Sequence, residues 1–344
     1  MKILFATSTK RPLKNPRHGS ERQLIGQARA LNNRGHEVEI DNINWNMPDN
    51  LDEFDIVHMV NSNGPNGAHQ ALATLSHRQG IPVVGTPTFW PPKELAADVN
   101  NQKNNAMIDL HMKTLIPWLA NTDMLTPNSE IEAQKLNEKI DPMHYEVVPN
   151  AVNLEEIEAI EENPHEPPEE WGDYVICVGR VEPRKNQWRL IYAMQGLWDK
   201  GIDVNLVLIG QVNPNYWQKL SSEVKRHGEK IYIEDELQKP ITVMNAMKHA
   251  DVVAMPSFIE TPGLVALEAG ALDVPLAITD RGATKEYFGD DANYCNPQRV
   301  DSIAEALTSA WNQESSNCSE KVNKHYNYQI AASILERTYK ELIE

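Results

Sequence analysis

Short continuous apolar runs alternate with helical patterns along almost the whole chain, and this alternation limits the fold more than any other feature. Lys2–Ala6, Glu37–Ile40, Phe54–Met59, Ile81–Gly85, Asp123–Pro127 and Tyr145–Val148 read as strands. Ser20-Glu21-Arg22-Gln23 has the form of a capping box, and Leu24, Ile25, Ala28 and Leu31 follow at helical spacing. Arg34-Gly35-His36 closes that helix, and 105–120 reads as another. A second set of strands follows: Tyr174–Val178, Val204–Ile209, Lys230–Ile233, Val252–Met255 and Leu276–Thr279. Runs that are apolar throughout, such as Tyr174-Val-Ile-Cys-Val178, suit strands covered on both faces. Alternation of this kind predicts α/β structure with parallel sheets.

The alternation breaks once. Residues 153–170 are acidic and carry Pro164, Pro167 and Pro168, which predicts a linker with a short helix over Leu154–Ile160. The expected organisation is two doubly wound, Rossmann-like domains, 1–153 and 171–327, joined by a linker at 154–170 and followed by a terminal amphipathic helix at 328–344. That helix carries Ile330, Ile334, Leu335 and Leu342 on its apolar face. A length of 344 residues favours two domains over one. Ligands of such domains bind beyond the carboxyl ends of the strands.

Charge and cysteine content narrow the function classes. Against 32 basic residues stand 49 acidic ones, a net charge of −17 that disfavours broad nonspecific binding to nucleic acid or anionic lipid. Cys177, Cys295 and Cys318 are odd in number and lack metal-ligand spacing, so a cytoplasmic, reducing setting is expected, or one peripheral at a membrane. No apolar run approaches the ~18 residues of a membrane span. The apolar core of Met1–Thr7 is too short for a secretory signal and reads as a first buried strand.

The stretch 251–271 carries the most chemistry. A buried strand, Val252–Met255, ends at Pro256-Ser257, and a loop leads into a helix. Thr261 is the expected N-cap and Pro262 the first helical residue. Gly263, Leu264 and Val265 would then offer free backbone N–H groups at a positive helix end, a ready phosphate site. Glu260 stands before the helix and Glu268 inside it. At ~1.5 Å rise per residue, plus the loop, their carboxylates fall on the order of 10 Å apart. That distance suits a ligand with a central diphosphate and a hydroxyl-rich ring at each end.

Glu260 and Glu268, with the strand before and Val274–Thr279 after, resemble the E-x7-E segment of retaining glycosyltransferases of family 4, which have the GT-B fold. The resemblance implies that Glu260 faces the donor sugar and Glu268 binds the ribose. Gly179-Arg180-Val181-Glu182-Pro183-Arg184-Lys185 resembles the family's G-R-x-x-x-x-K segment, in which the Arg and the Lys hold the donor diphosphate. Physical chemistry agrees. A leaving nucleoside diphosphate gains negative charge as the sugar bond breaks, and fixed cations aimed at it stabilise the transition state. Arg180 and Lys185 supply such cations without a metal, and the chain has no Asp-x-Asp tripeptide. The plain alternative at each place is an ordinary loop with solvated charges.

In the first half, Gly19 before the capping box matches a glycine-rich turn of the family, there often with two glycines. Val147–Asn153 resembles P-N-G-V-D, with Ala151 and Asn153 departing from it, and reads as structural. Arg281–Glu286 resembles G-G-x-x-E with Arg281 in place of the first Gly. Thr88 aligns with a His that in many members contacts the donor sugar; His58 and His111 read as plain core or surface residues. Glu234–Leu237 replaces a glycine turn near the base, so base preference is not legible. The resemblance also implies that the terminal helix crosses back to the first domain.

The resulting expectation is a retaining, metal-independent glycosyltransferase. Its co-substrate is a UDP-, GDP- or ADP-sugar, no other cofactor is required, and Glu260, Arg180 and Lys185 are its catalytic residues. The rivals are a noncatalytic nucleotide-sugar-binding protein of the same fold, and a GT-B epimerase or phosphorylase. Lys10, Arg11, Lys14, Arg17 and His18 form a basic run at the carboxyl end of the first strand. It is either a solvated loop or a site for an anionic acceptor: a glycan, a phospholipid-linked group or a nucleic acid.

Overall fold

The computed structural model describes residues 1–8, 19–43, 47–60, 67–90, 113, 115–234, 239–261 and 263–344. They divide into two compact units, Met1–Ala151 with Tyr326–Glu344, and Val152–His325. Each unit is built on a parallel sheet, as the apolar runs require.

The first unit runs β1 (Lys2–Thr7), α1 (Gly19–Asn33), β2 (Glu37–Asn42), β3 (Ile56–Val60), α2 (Ala68–Arg78), β4 (Val83–Thr86), β5 (Met124–Leu125) and α3 (Glu130–Asn137). The strand order is β2-β1-β3-β4-β5, all parallel. Helix α1 starts at Gly19, so Ser20 lies inside it rather than capping it. Tyr145–Val148, expected as a strand, forms only a single bridge from Tyr145 to Leu125. Leu125 N–H donates to the His144 carbonyl and Glu146 N–H to that of Leu125; Val148 N–H then reaches the Pro127 carbonyl at 2.9 Å, but Pro127 has no N–H to return, so no ladder is completed. The expected helix at 105–120 lies mostly outside the described residues; 115–119 are helical.

The second unit runs α4 (Leu154–Glu162), β6 (Tyr174–Val178), α5 (Gln187–Trp198), β7 (Asn205–Ile209), α6 (Pro214–His227), β8 (Ile231–Glu234), α7 (Pro240–Lys248), β9 (Val252–Met255), α8 (Leu264–Ala271), β10 (Leu276–Thr279), α9 (Thr284–Phe288), β11 (Asn293–Cys295), α10 (Val300–Trp311) and α11 (Ser319–His325). Its order is β11-β10-β9-β6-β7-β8, again parallel. The central strands β6 and β9 are adjacent, although α5, β7, α6, β8 and α7 lie between them in sequence. They flank the point where the order of connection reverses, which is where such sheets leave a crevice for a ligand. Strand β11 escaped the sequence reading because Asn293-Tyr294-Cys295 is too short and too polar to register as an apolar run.

The chain then returns to the first unit as α12 (Tyr328–Ile343), capped by Asn327, whose Oδ1 accepts from the N–H of Gln329 and Ile330. The buried face of α12 is Ala331, Ala332, Leu335 and Tyr339, whereas Ile330 is exposed. Of the expected stripe, Leu335 is buried and Ile334 and Leu342 pack half-buried on the same core, so only Ile330 departs from it. Small alanines let the helix approach α1 closely, and Gly26 has no side chain where the Tyr328 ring packs: a Cβ there would stand 2.1 Å from it. His58 on β3 is fully buried, with Nδ1 2.5 Å from the Tyr339 hydroxyl and Nε2 2.8 Å from Thr86 Oγ1. Burial lowers its pKa to about 3, so it is a neutral core residue that pins α12 to the sheet. Among the described residues no helix is long and apolar enough to cross a membrane.

Candidate functional site

Strand β6 ends at Gly179, whose φ of 134° carries the chain out of the sheet. The neighbouring β7 ends the same way at Gly210, φ 138°, where a Cβ would lie 2.4 Å from the Gly179 carbonyl oxygen. Only a glycine allows the two strand ends to come this close. After Gly179, Val181 bridges Val212, and Pro183–Lys185 form one turn of 3-10 helix. Asn186 follows with a left-handed φ of 63°. Its buried Nδ2 donates to the carbonyls of Pro256 (3.0 Å) and Pro297 (2.8 Å), and its Oδ1 accepts from Arg189 (3.1 Å). This side chain therefore fixes the basic turn against the end of β9. The sequence singled out Arg180 and Lys185 but gave no sign that Asn186 holds them in place.

Lys185 folds back across Gly179, with Cε 3.2 Å from where a Cβ at 179 would lie. Its Nζ donates to Glu260 Oε1 at 2.6 Å. Arg184, which the sequence reading passed over, reaches the same oxygen at 3.3 Å and also donates to the Ile259 carbonyl at 3.1 Å. Glu260 is 7% exposed. Burial pushes its carboxyl up, but the Lys185 and Arg184 charges outweigh burial and hold its pKa down at about 2. Glu260 is thus a fixed anion clamped by two cations, not a proton donor near neutral pH.

The backbone of Glu260 is held as firmly as its side chain. It bridges Gly282, and its carbonyl accepts from Ala283 N–H at 3.0 Å. A Cβ on Gly282, whose φ is 89°, would lie 1.9 Å from that carbonyl oxygen. The turn after β10 therefore needs glycine at 282, while Arg281 stands where the family's pattern has its first glycine. Thr284 Oγ1 closes the turn by donating to the Thr279 carbonyl at 2.7 Å.

Helix α8 begins at Leu264, and Gly263, with φ 92°, takes the N-cap position expected of Thr261. The reason is contact: a Cβ on Gly263 would stand 2.7 Å from Met255 Cε and 3.3 Å from Glu260 Oε2. Gly263 has no side chain to cap this end; Ala266 N–H turns back to the Gly263 carbonyl at 3.0 Å, and the N–H groups of Leu264 and Val265 before it have no intrahelical acceptor. Glu268 lies inside α8 and is 4% exposed. Pro262 lies outside the described residues. The site thus joins the ends of β6 and β9 through Gly179, Lys185, Glu260 and Gly263. Arg180 stands apart: its side chain is 58% exposed and pairs with Glu182 at 2.6 Å.

In the first unit, Gly19 opens α1. Lys10, Arg11, Lys14, Arg17, His18 and His111 lie outside the described residues. Thr88 is exposed at a left-handed φ of 45°, which a β-branched residue rarely adopts. The next N–H, of Phe89, donates to the buried Glu132 carboxylate, which also accepts from Asn128 N–H at 2.6 Å. Gln23 of α1 clamps the Ala151 backbone, donating to its carbonyl at 2.7 Å and accepting from its N–H at 2.8 Å. Among the described residues no three His, Cys, Asp or Glu side chains are grouped as metal ligands, and the three cysteines are buried and unpaired.

Residues 159–329 match the family described as Glycosyl transferases group 1. A D-inositol 3-phosphate glycosyltransferase of Segniliparus rotundus is 29% identical over 236 residues, 64% of this chain and 50% of that protein. A GDP-mannose-dependent alpha-(1-6)-phosphatidylinositol dimannoside mannosyltransferase of Mycobacterium tuberculosis is 28% identical over 167 residues, 48% of this chain and 43% of that one. The chain spans about half the length of these curated relatives. Among solved structures, a sucrose-phosphate synthase of Thermosynechococcus elongatus is similar with a TM-score of 0.77 and 16% identity, over 99% of each chain. The Anabaena protein HepE in complex with UDP-glucose is similar with a TM-score of 0.71 and 16% identity, over 99% of this chain and 100% of that one. The architecture is thus the expected GT-B fold.

Proposed function

Because residues 159–329 are a group 1 glycosyltransferase domain, we propose that the protein moves a sugar from a nucleoside diphosphate donor to an acceptor hydroxyl, with retention of configuration and without a metal. The observation that carries this reading is the Lys185–Glu260 pair. A buried ammonium and a buried carboxylate are locked together beyond β6 and β9, at the switch point of the sheet. A donor diphosphate placed there would meet Lys185, the open N–H groups of Gly263, Leu264 and Val265, and the exposed end of Arg180. These groups would neutralise the charge that grows on the leaving diphosphate. Glu260, already ionised, would face the sugar, and Glu268, one to two turns into α8, the ribose.

Two further points support the donor class. The structurally similar HepE was solved with UDP and with UDP-glucose, and the mycobacterial relative is named for GDP-mannose. UDP, GDP and ADP donors therefore all belong in the first test. The acceptor would be held by the first unit, and the basic run at Lys10–His18 fits an anionic one. The three buried thiols suit a reducing, cytoplasmic compartment.

Thermal shift with UDP, GDP and ADP, then with their sugars, identifies the donor. Ligand at ~100 times its dissociation constant raises stability by about 2.7 kcal/mol. Acceptor-dependent release of nucleoside diphosphate from that donor is the expected result. Binding without any release, across a broad acceptor panel, would favour a noncatalytic binding protein.

A further inference from the structure

The turn that carries Lys185 also carries a carboxylate to which the sequence reading gave no role. Glu182 is 13% exposed by side chain, and it pairs with two cations at once. Its Oε2 lies 2.6 Å from the Arg180 guanidinium and its Oε1 3.4 Å from Arg184 Nε. Arg184 in turn reaches Glu260 Oε1, the oxygen that Lys185 holds. Five charges therefore form one chain: Arg180, Glu182, Arg184, Glu260, Lys185. The ends of that chain differ. Lys185 is 12% exposed and pinned, whereas Arg180 is 58% exposed. The Arg180 backbone is fixed, because its carbonyl accepts from Gln187 Nε2 at 3.0 Å. Of the five side chains Arg180 is the most exposed.

Resting on the donor reading above, we propose that Glu182 is a positioning residue that competes with the donor diphosphate for Arg180 and thereby speeds release of the product nucleoside diphosphate. Arg180 is paired with Glu182 at 2.6 Å. A diphosphate is a stronger partner, since it offers more charge and more acceptor oxygens to the planar guanidinium. When Arg180 swings to it, Glu182 is not left bare, because Arg184 stays within reach of its other oxygen. The carboxylate therefore has a partner in both states, and the exchange leaves no buried charge uncompensated. After transfer, Glu182 draws Arg180 back and lowers the affinity for the spent nucleotide. No bond forms or breaks in this step; only ion pairs exchange.

The test is a mutant cycle on nucleotide affinity. UDP, GDP and ADP are titrated into wild type, E182Q, R180A and the R180A/E182Q double variant by calorimetry, and the tightest binder is followed by stopped-flow release. E182Q is expected to lower the dissociation constant by about two- to fivefold, the range for a partly exposed ion pair, and to slow release by a similar factor. R180A is expected to weaken binding, and E182Q to change nothing further in the R180A background. Unchanged or weaker binding by E182Q would overturn the proposal, as would a gain that persists without Arg180. E182A is the second variant. If neither variant folds, judged by its melting curve, Glu182 is a structural brace and the proposal is wrong. If wild type itself binds none of the three nucleotides, the donor reading falls first, so the two failures are distinct.

Discussion

The Lys185 ammonium lies 2.6 Å from Glu260 Oε1, and both side chains are almost wholly buried. Arg184 adds a second cation at 3.3 Å from the same oxygen. A carboxylate so held is ionised over the whole physiological range. It is suited to orient and to balance charge, not to deliver a proton. The lysine, fixed by Glu260 on one side and by the glycine beneath it on the other, is preorganised for an incoming anion.

Replacing that lysine should therefore damage turnover far more than folding. Lys185→Ala is expected to lower kcat by ~10²-fold or more, the cost of losing one preorganised charge at a leaving group. Arg184 still faces Glu260, so the melting temperature should fall only modestly. Steady-state kinetics beside a melting curve separates the two effects; a collapse of stability with normal turnover in the surviving protein would refute the assignment.

Acid should erode the same pair. The Glu260 carboxyl titrates at about 2 when folded, against an ordinary value of 4.5. A depressed carboxyl stabilises the fold fully above its unfolded pKa, and that contribution is lost as pH falls through the folded one. The stability gap between wild type and Glu260→Gln should thus be widest above pH 4.5 and should shrink towards pH 2. A gap that does not vary with pH would show that the carboxylate charge is irrelevant there.

Two glycines of similar backbone conformation should respond differently to alanine. Gly282 and Gly35 have φ of 89° and 87°. A Cβ on Gly35 meets nothing within 4 Å, whereas on Gly282 it lies 1.9 Å from the Glu260 carbonyl oxygen. Gly35→Ala should cost about 1 kcal/mol, the strain of a left-handed L-residue, and leave activity intact. Gly282→Ala should cost clearly more and should also displace Glu260, so donor turnover falls in the protein that still folds. Denaturant melts of the two variants check the order.

The terminal helix offers a test away from the site. Tyr339→Phe removes the hydroxyl that meets His58 Nδ1 and leaves that nitrogen buried without a partner. The expected loss is ~1–3 kcal/mol, with unchanged turnover per folded molecule. A neutral effect on stability would mean that this hydrogen bond does not fasten α12 to the sheet.

The parts of the site that were legible in the sequence are those with a local signature. Continuous apolar runs gave β6 and β9, and Arg180, Lys185, Glu260 and Glu268 were singled out by the resemblance of the segments after those strands to the family's two patterns. What escaped depends on contacts between distant segments. Asn186 and the Gln23 clamp on Ala151 each act on backbone far away in the chain, and no local pattern records such a partner. The cap of α8 went to Gly263 instead of Thr261 because Met255 and Glu260 crowd the turn, a tertiary reason that overrides capping preference. On α12 the large aliphatic residues Ile334, Leu335 and Leu342 were found, but Ala331, Ala332 and Tyr339, which complete the buried face, were not, because a search for large aliphatic residues ranks them low. Arg184 was hidden in plain view: a family pattern marks two cations in this turn, and geometry adds a third.

The two glutamates should not be equivalent. If Glu260 faces the sugar and Glu268 the ribose, Glu260→Gln should bind bare nucleoside diphosphate nearly as wild type does but turn over poorly. Glu268→Gln should bind it more weakly. Wild-type affinity in both variants would remove the ribose role from Glu268.

The most direct test of the central claim is calorimetric titration of UDP, GDP and ADP, in the presence of EDTA, into wild type and Lys185→Ala. The account predicts that at least one nucleotide binds wild type without metal and that Lys185→Ala weakens it by about tenfold or more, a difference of ~1.4 kcal/mol at the least. If binding requires an added divalent ion, or if Lys185→Ala binds like wild type, the metal-free cation site beyond β6 and β9 is not where the donor diphosphate sits.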